Sequence, residues 1–288
     1  MKGDLSVMKK LTNGLLLPDI GMGTWKLNDN KILEEIIGRG YELGYRLIDT
    51  ASSYSNEIAI GRSIKNLDIK RENLILQDKV WRTNYGFENT VNACTKSLHK
   101  LKMDYIDIYL VHWPASPIEY TDWEKINAET WRGMEWCYEK GFVHAIGVCN
   151  FKPYHFEALK KTANVFPMIN QIEHHPGFHQ KETLDYCKKE GMKIEAASPL
   201  GNGTLLQNDL IKRIAEKEKT NSSGLLLAYS LQQEITVLPR TSNADRLEEN
   251  IGALDIKLED ETIKELDNLP FIGGLNLNSD EVIDFGKL

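Results

Sequence analysis

Short apolar runs rich in β-branched residues alternate along this chain with longer stretches of helical period. The runs are "DIGMGTW" (19–25), "RLID" (46–49), "LILQDKV" (74–80), "YIDIYLVHW" (105–113), "HAIGVCN" (144–150), "MINQIEH" (168–174), "KIEAASPL" (193–200) and "ITVLPR" (235–240). Each fits a strand buried on both faces, as in a parallel sheet covered by helices. Between them apolar residues fall on one helix face, as with Ile32, Leu33, Ile36 and Ile37, or with Val91, Cys94, Leu98 and Leu101. "WEKINAETWRGMEWCYEKG" and "RIAEKEK" continue the pattern, and "GLLLAYSLQQ" reads as a buried helix. Eight strand–helix repeats in this length predict a (β/α)8 TIM barrel. A doubly wound open sheet is the competing layout, but no strand is followed by GxGxxG; the isolated "GMG" and "GNG" are weak signals. Asn13-Gly14 between two short runs predicts an N-terminal β-hairpin with a type I′ turn, placed to cover the barrel bottom. With no linker, repeat or low-complexity tract, residues 1–288 are expected to form one domain.

Composition narrows the function classes. Acidic residues outnumber basic ones, 42 to 35, and there is no basic block, so nucleic acid and membrane surfaces are not expected partners. The segment "MKGDLSVMKK" lacks a signal-peptide core, and no apolar run approaches a membrane span. Cys94, Cys137, Cys149 and Cys187 are scattered without a CxxC pair, which fits reduced thiols and a cytoplasmic location.

In such a barrel the chemistry gathers at the C-terminal ends of the strands. There the chain places Asp49, Lys79 and His112, with Tyr54 in the loop after Asp49. The four types suit delivery of a proton to a developing alkoxide. A phenol is a poor acid near neutrality, and a nearby ammonium favours its ionised form. A carboxylate would keep that ammonium charged despite burial. A histidine could orient a carbonyl or relay a proton. No metal is required. Taken singly, each residue also fits a packing role: Asp49 a helix cap or ion-pair partner, Tyr54 a half-buried ring, Lys79 a surface cation, His112 a satisfied core histidine. Four together at one end of successive strands are hard to attribute to packing.

The segments "GYRLIDTASSYSNE" (44–57), "DKVW" (78–81), "DIYLVHWP" (107–114), "GVCNF" (147–151), "NQIEHHP" (170–176), "SPLG" (198–201) and "LPRTSNADRLEEN" (238–250) together resemble the aldo-keto reductase superfamily. The resemblance is to its smaller members, which reduce aldehydes, ketones and diketo sugars. It runs in order from the hairpin to Asn250. It implies an NADPH-dependent carbonyl reductase without a Rossmann unit, with Tyr54 as general acid supported by Lys79 and Asp49, and His112 orienting the substrate. Asn150 and Gln171 would bond the nicotinamide carboxamide beside Cys149, which stands where the family usually has serine. Ser198, Leu200 and Gly201 would follow the pyrophosphate. Arg240, Thr241 and Arg246 would take the 2′-phosphate, with Glu249 and Asn250 near the adenine. Position 240 is usually lysine; arginine keeps the charge and adds a planar fork. Ala197 stands where the family usually stacks an aromatic ring on the nicotinamide.

By the same resemblance Trp25, Trp81 and Trp113 would line an apolar substrate pocket. The tail from 271 to 288 holds two aromatics, which suggests a loosely closed pocket and broad specificity. The expected partner is a small carbonyl compound, and the expected assembly a monomer or weak dimer. Two other readings use the same barrel: a nucleotide-sensing accessory subunit of the kind found on potassium channels, and a metal-dependent hydrolase built on Asp49, His112 and His174–His175. Adjacent histidines on a strand point to opposite faces, which disfavours the last.

Overall fold

The computed structural model describes residues 8–281. Most of the segment read for a signal core (1–7) and the end of the tail (282–288) lie outside the described residues. Two short strands, β1 (Lys9–Lys10) and β2 (Leu16–Leu17), form an antiparallel hairpin. Eight parallel strands follow, hydrogen-bonded in chain order: β3 (Gly21–Gly23), β4 (Leu47–Asp49), β5 (Ile75–Val80), β6 (Ile106–Val111), β7 (Val143–Cys149), β8 (Ile169–Glu173), β9 (Lys193–Ala197) and β10 (Thr236–Val237). A parallel bridge between Ile20 and Val237 closes the ring. The predicted (β/α)8 barrel is the observed architecture. The first and last barrel strands are shorter than the runs 19–25 and 235–240 suggest, in part because Pro239 has no N–H to extend the ladder.

The helices α1 (Asn30–Leu43), α2 (Glu57–Asn66), α3 (Phe87–Leu101), α4 (Trp123–Glu139), α5 (Pro153–Leu159) and α6 (Lys181–Lys189) each follow one strand. Asp29 caps α1 by accepting from the N–H groups of Lys31 (2.8 Å) and Ile32 (3.1 Å). The helix buries Leu33, Ile36, Ile37 and Gly40, and stops at Gly44 in the left-handed region. Gly61 lets α2 approach the end of α3, since a Cβ there would meet the Leu101 carbonyl at 2.1 Å. Two helices, α7 (Asp209–Lys217) and α8 (Ser222–Leu231), follow β9, and α9 (Asp245–Ile251) and α10 (Asp260–Asp267) follow β10. Residues Ser223–Ser230 of α8 are all buried, because α7 and α10 add a second apolar cluster outside it.

The hairpin sits under the barrel as expected. Asn13 Nδ2 donates to the carbonyl of His144 (2.7 Å), at the start of β7, and Lys9 pairs with Asp19 below β3. Its turn is not type I′, however. Only Gly14 has positive φ (93°), and the Gly14 and Leu11 amides bond to Leu11 and Leu15 carbonyls, both at 2.9 Å. This is a longer turn, in which the Asn13 Oδ1 accepts from Leu15 N–H instead of the backbone adopting the mirror-image turn. The four cysteines are free and buried. Among the described residues no helix is long and apolar enough to cross a membrane.

Candidate active site

Asp49 is the last residue of β4, and Lys79 the penultimate residue of β5, so both side chains reach the same barrel mouth. Lys79 Nζ lies 2.5 Å from Asp49 Oδ1, donates to the Thr50 carbonyl (2.8 Å) and stands 3.5 Å from the Tyr54 hydroxyl. Tyr54 ends a short 3₁₀ turn, Ser52–Tyr54. That turn is tied down by the Ser52 hydroxyl, which donates to the Lys79 carbonyl (2.9 Å). His112 follows β6 directly, edge-on to Tyr54 and Trp81 at ring separations of 5.7 and 5.0 Å. The structure thus brings Asp49, Tyr54, Lys79 and His112 together, with the lysine between carboxylate and phenol.

Burial works against the Lys79 charge, but Asp49, Tyr54 and Cys149 together outweigh it, and its pKa rises above the ordinary lysine value. Burial and then Lys79 push His112 well below the usual histidine range, so the ring is neutral; its Nδ1 is buried without a partner. Tyr54 departs from the sequence expectation. Lys79 does pull its pKa down, but burial pushes harder, and the hydroxyl lies above the ordinary tyrosine value.

A cleft of about 540 Å³ runs outward from Asp49 and Tyr54. Gln171, Ala197, Ser198 and Leu200 line its inner part, and Arg240, Thr241, Arg246, Glu249 and Asn250 its outer part. Cys149, Asn150 and Gly201 are not in its wall. Cys149 is paired with Gln171 across the sheet, and Asn150, at φ 61°, donates from Nδ2 to the His112 carbonyl (3.2 Å). Arg240 does not hold its whole fork ready for a ligand. Its Nε and Nη2 donate to the carbonyls of Trp25 (3.2 Å) and Lys26 (3.0 Å), clamping the loop after β3 to the loop after β10. Trp25 lines the cleft, whereas Trp113 is buried to 5% exposure and offers little surface. In the described part of the tail, Glu173 accepts from the N–H groups of Leu275 (2.6 Å) and Leu277 (2.8 Å), and Asp280 pairs with Lys152.

Similarity to known proteins agrees with this geometry. The aldo/keto reductase family profile matches residues 19–270. The chain belongs to that family. It is 39% identical over 274 residues to glyoxal reductase of Bacillus subtilis, covering 95% of this chain and 96% of that one. It is 32% identical to methylglyoxal reductase DkgA of Escherichia coli, over 90% of this chain and 92% of that one. Among solved structures, an aldo-keto reductase crystallised with NADPH superposes with a TM-score of 0.84 at 32% identity, covering 92% of this chain and 88% of that one. Membership makes the protein an oxidoreductase of carbonyl and alcohol groups.

The sequence reading missed several residues in and beneath the cleft. Asn221, Ser222 and Ser223 bring the start of α8 to the cleft, where Ser223 donates to Glu249 (2.6 Å). The "NSS" ahead of an apolar run is an N-cap signal that could have pointed there. Lys26, over the Trp25 ring at 4.4 Å, carried no pattern. Gln77 and Glu195 lie beneath Asp49, buried inside the barrel. Their signal was polarity at inward strand positions. Among the described residues no group of three or more His, Cys, Asp or Glu is arranged to hold a metal ion. His174 and His175 turn apart, the first to the Ser230 hydroxyl (3.1 Å) and the second to Glu173 (3.1 Å).

Proposed function

We propose that the protein reduces aldehydes and ketones to alcohols with NADPH, Tyr54 giving the proton. The observation that carries this reading is Lys79 held between Asp49 and Tyr54 at the inner end of a cleft whose outer end is basic. The cleft's donors fit the dinucleotide. Arg240, Arg246 and Thr241 would take the 2′-phosphate, and Ser198 and Leu200 the pyrophosphate, with Gly201 next in the chain but outside the cleft wall. Glu249 and Asn250 would meet the adenine and Gln171 the carboxamide, beside Ala197, while Asn150 and Cys149 lie outside the cleft wall. When bound, the nicotinamide supplies the hydride.

The chain's own residues handle the proton. Burial keeps Tyr54 protonated throughout the neutral range, so the acid is loaded before the reaction starts. Neutral His112 can donate to a carbonyl oxygen and orient it. As Tyr54 releases its proton, a phenolate forms beside an ammonium already fixed by Asp49. Unit charges 3.5 Å apart attract by roughly 5 kcal/mol at an effective dielectric constant of about 20. That attraction appears only as the charge develops, which is what lowers a barrier. Trp25 and Trp81 would flank the substrate. Two relatives are named for glyoxal and methylglyoxal, so small dicarbonyl aldehydes head the substrate screen.

Replacing Tyr54 with phenylalanine tests the assignment. NADPH oxidation with methylglyoxal should fall by about 10²–10⁴-fold, while NADPH binding followed by fluorescence stays intact. Near-normal turnover in Tyr54→Phe would remove Tyr54 as the acid.

A further inference from the structure

A second buried carboxylate lies beneath the Asp49–Lys79 pair. Glu195 of β9 is fully buried and stands two residues before Ala197, on the same inward face. Gln77 stands likewise two residues before Lys79, also fully buried. Gln77 Nε2 donates to Asp49 Oδ1 (2.8 Å) and Glu195 Oε2 (2.7 Å). Gln171 Nε2 donates to the same two oxygens, at 3.2 and 2.8 Å. An amide nitrogen has two hydrogens, so each glutamine has spent both on the two carboxylates. The reversed orientation would set carbonyl oxygens against anions. Gln171 lines the cleft, and the group it has left to offer there is its carbonyl oxygen.

Stability does not account for this arrangement. Lys79 is already engaged by Asp49, and Glu195 Oε1 and Gln77 Oε1 are buried without partners. Each unsatisfied buried acceptor costs about 1–3 kcal/mol. Apolar residues of similar volume often serve such positions equally well or better. What the second carboxylate does accomplish is to fix which way the Gln171 amide stands.

We propose that Glu195 is a positioning residue for carbonyl reduction: with Asp49 it locks Gln171 so that the amide oxygen faces the nicotinamide carboxamide. This rests on the function proposed above. Burial and then Asp49 raise the Glu195 pKa to about 7, so the lock has a charged and a neutral form near neutrality. The ionisable groups acting on Glu195 are Asp49 from β4 and Lys79 from β5. Cys149 of β7 also feels its charge but is held protonated by burial. Its ladder neighbours Gln171 and Thr236 do not titrate. The ionised form is the stronger acceptor, so the lock tightens as pH rises through about 7.

The test is NADPH affinity by fluorescence titration between pH 5.5 and 8.5, with melting temperature followed in parallel. Glu195→Ala should weaken binding by roughly 5–10-fold, the worth of one ordered hydrogen bond. Glu195→Gln keeps an acceptor and should recover most of that loss. Its affinity should lack the tightening that the unaltered protein shows through neutrality. The 2′-phosphate titrates near pH 6 in all three proteins, so the difference between parent and Glu195→Gln is the quantity of interest. Parallel pH curves for those two, or parent-like affinity in Glu195→Ala, would overturn the positioning role. If Glu195→Ala does not fold, the Glu195→Gln comparison decides alone. A parent protein that binds no NADPH would instead overturn the underlying function.

Discussion

Tyr54 feels two opposed influences. Burial keeps its proton on, and Lys79 at 3.5 Å eases its departure. The lysine was legible in the sequence as a polar residue at a strand end, but the burial was not, because it depends on elements far away in the chain. Ala197 stands where the family resemblance leads one to expect an aromatic ring. It ends β9, half-buried in the cleft wall, with a methyl group where a ring is expected. Stacking contributes about 0.5–1.5 kcal/mol beyond area burial, so Ala197→Tyr should tighten NADPH binding roughly 2–10-fold in a fluorescence titration. Unchanged or weaker affinity would mean that neighbouring side chains already fill the space.

Among the elements, the helices were the most legible, because a buried stripe such as Leu33, Ile36, Ile37 and Gly40 is a local pattern. The hairpin's existence was legible too, but not its turn, since Asn13 spends its amide on the His144 carbonyl, a long-range partner that local turn rules do not include. β5 shows how one strand carries two kinds of polar residue. Gln77 and Lys79 face inward, while Asp78, also buried, turns towards the helices and meets Glu57 of α2. Its Oδ1 accepts from Lys79 N–H (2.7 Å) but its Oδ2 has no partner. Burial and then Glu57 raise the Asp78 pKa to about 7, above its unfolded value. A carboxyl group raised in this way stabilises the fold fully below about pH 4, and that contribution is lost as pH climbs through 7. Asp78→Asn keeps the accepting oxygen and removes the ionisation. The variant should therefore gain stability relative to the parent between pH 5 and 8, by roughly 2–3 kcal/mol. Urea melts at the two pH values measure it, and an equal difference at both would contradict the assignment.

For the molecule as a whole, alternation of strands and helices made the barrel legible, and strand ends located the four central residues. The layer beneath them was not, because Gln77 and Glu195 are 118 residues apart and only ring closure makes them neighbours. That closure is itself uneven. β6 and β7 are in register over five residue pairs, whereas β3 and β10 meet through the single Ile20–Val237 bridge. The flanking backbone bonds are Val237 N–H to Asp19 (2.9 Å) and Gly23 N–H to Pro239 (3.1 Å). Lys9 with Asp19 below and the Arg240 clamp above hold the same junction from both ends. Regions with few ladder bonds open at lower free energy than the centre of a sheet. In native-state hydrogen exchange, the amides of Gly23 and Val237 should therefore lose protection first and those of Leu110 and Val148 last. Uniform protection around the ring would mean that the two end fastenings make good the missing ladder. Graded protection would make this junction the place where the barrel comes apart, and would put the Arg240 end of the cleft on the least durable edge of the molecule.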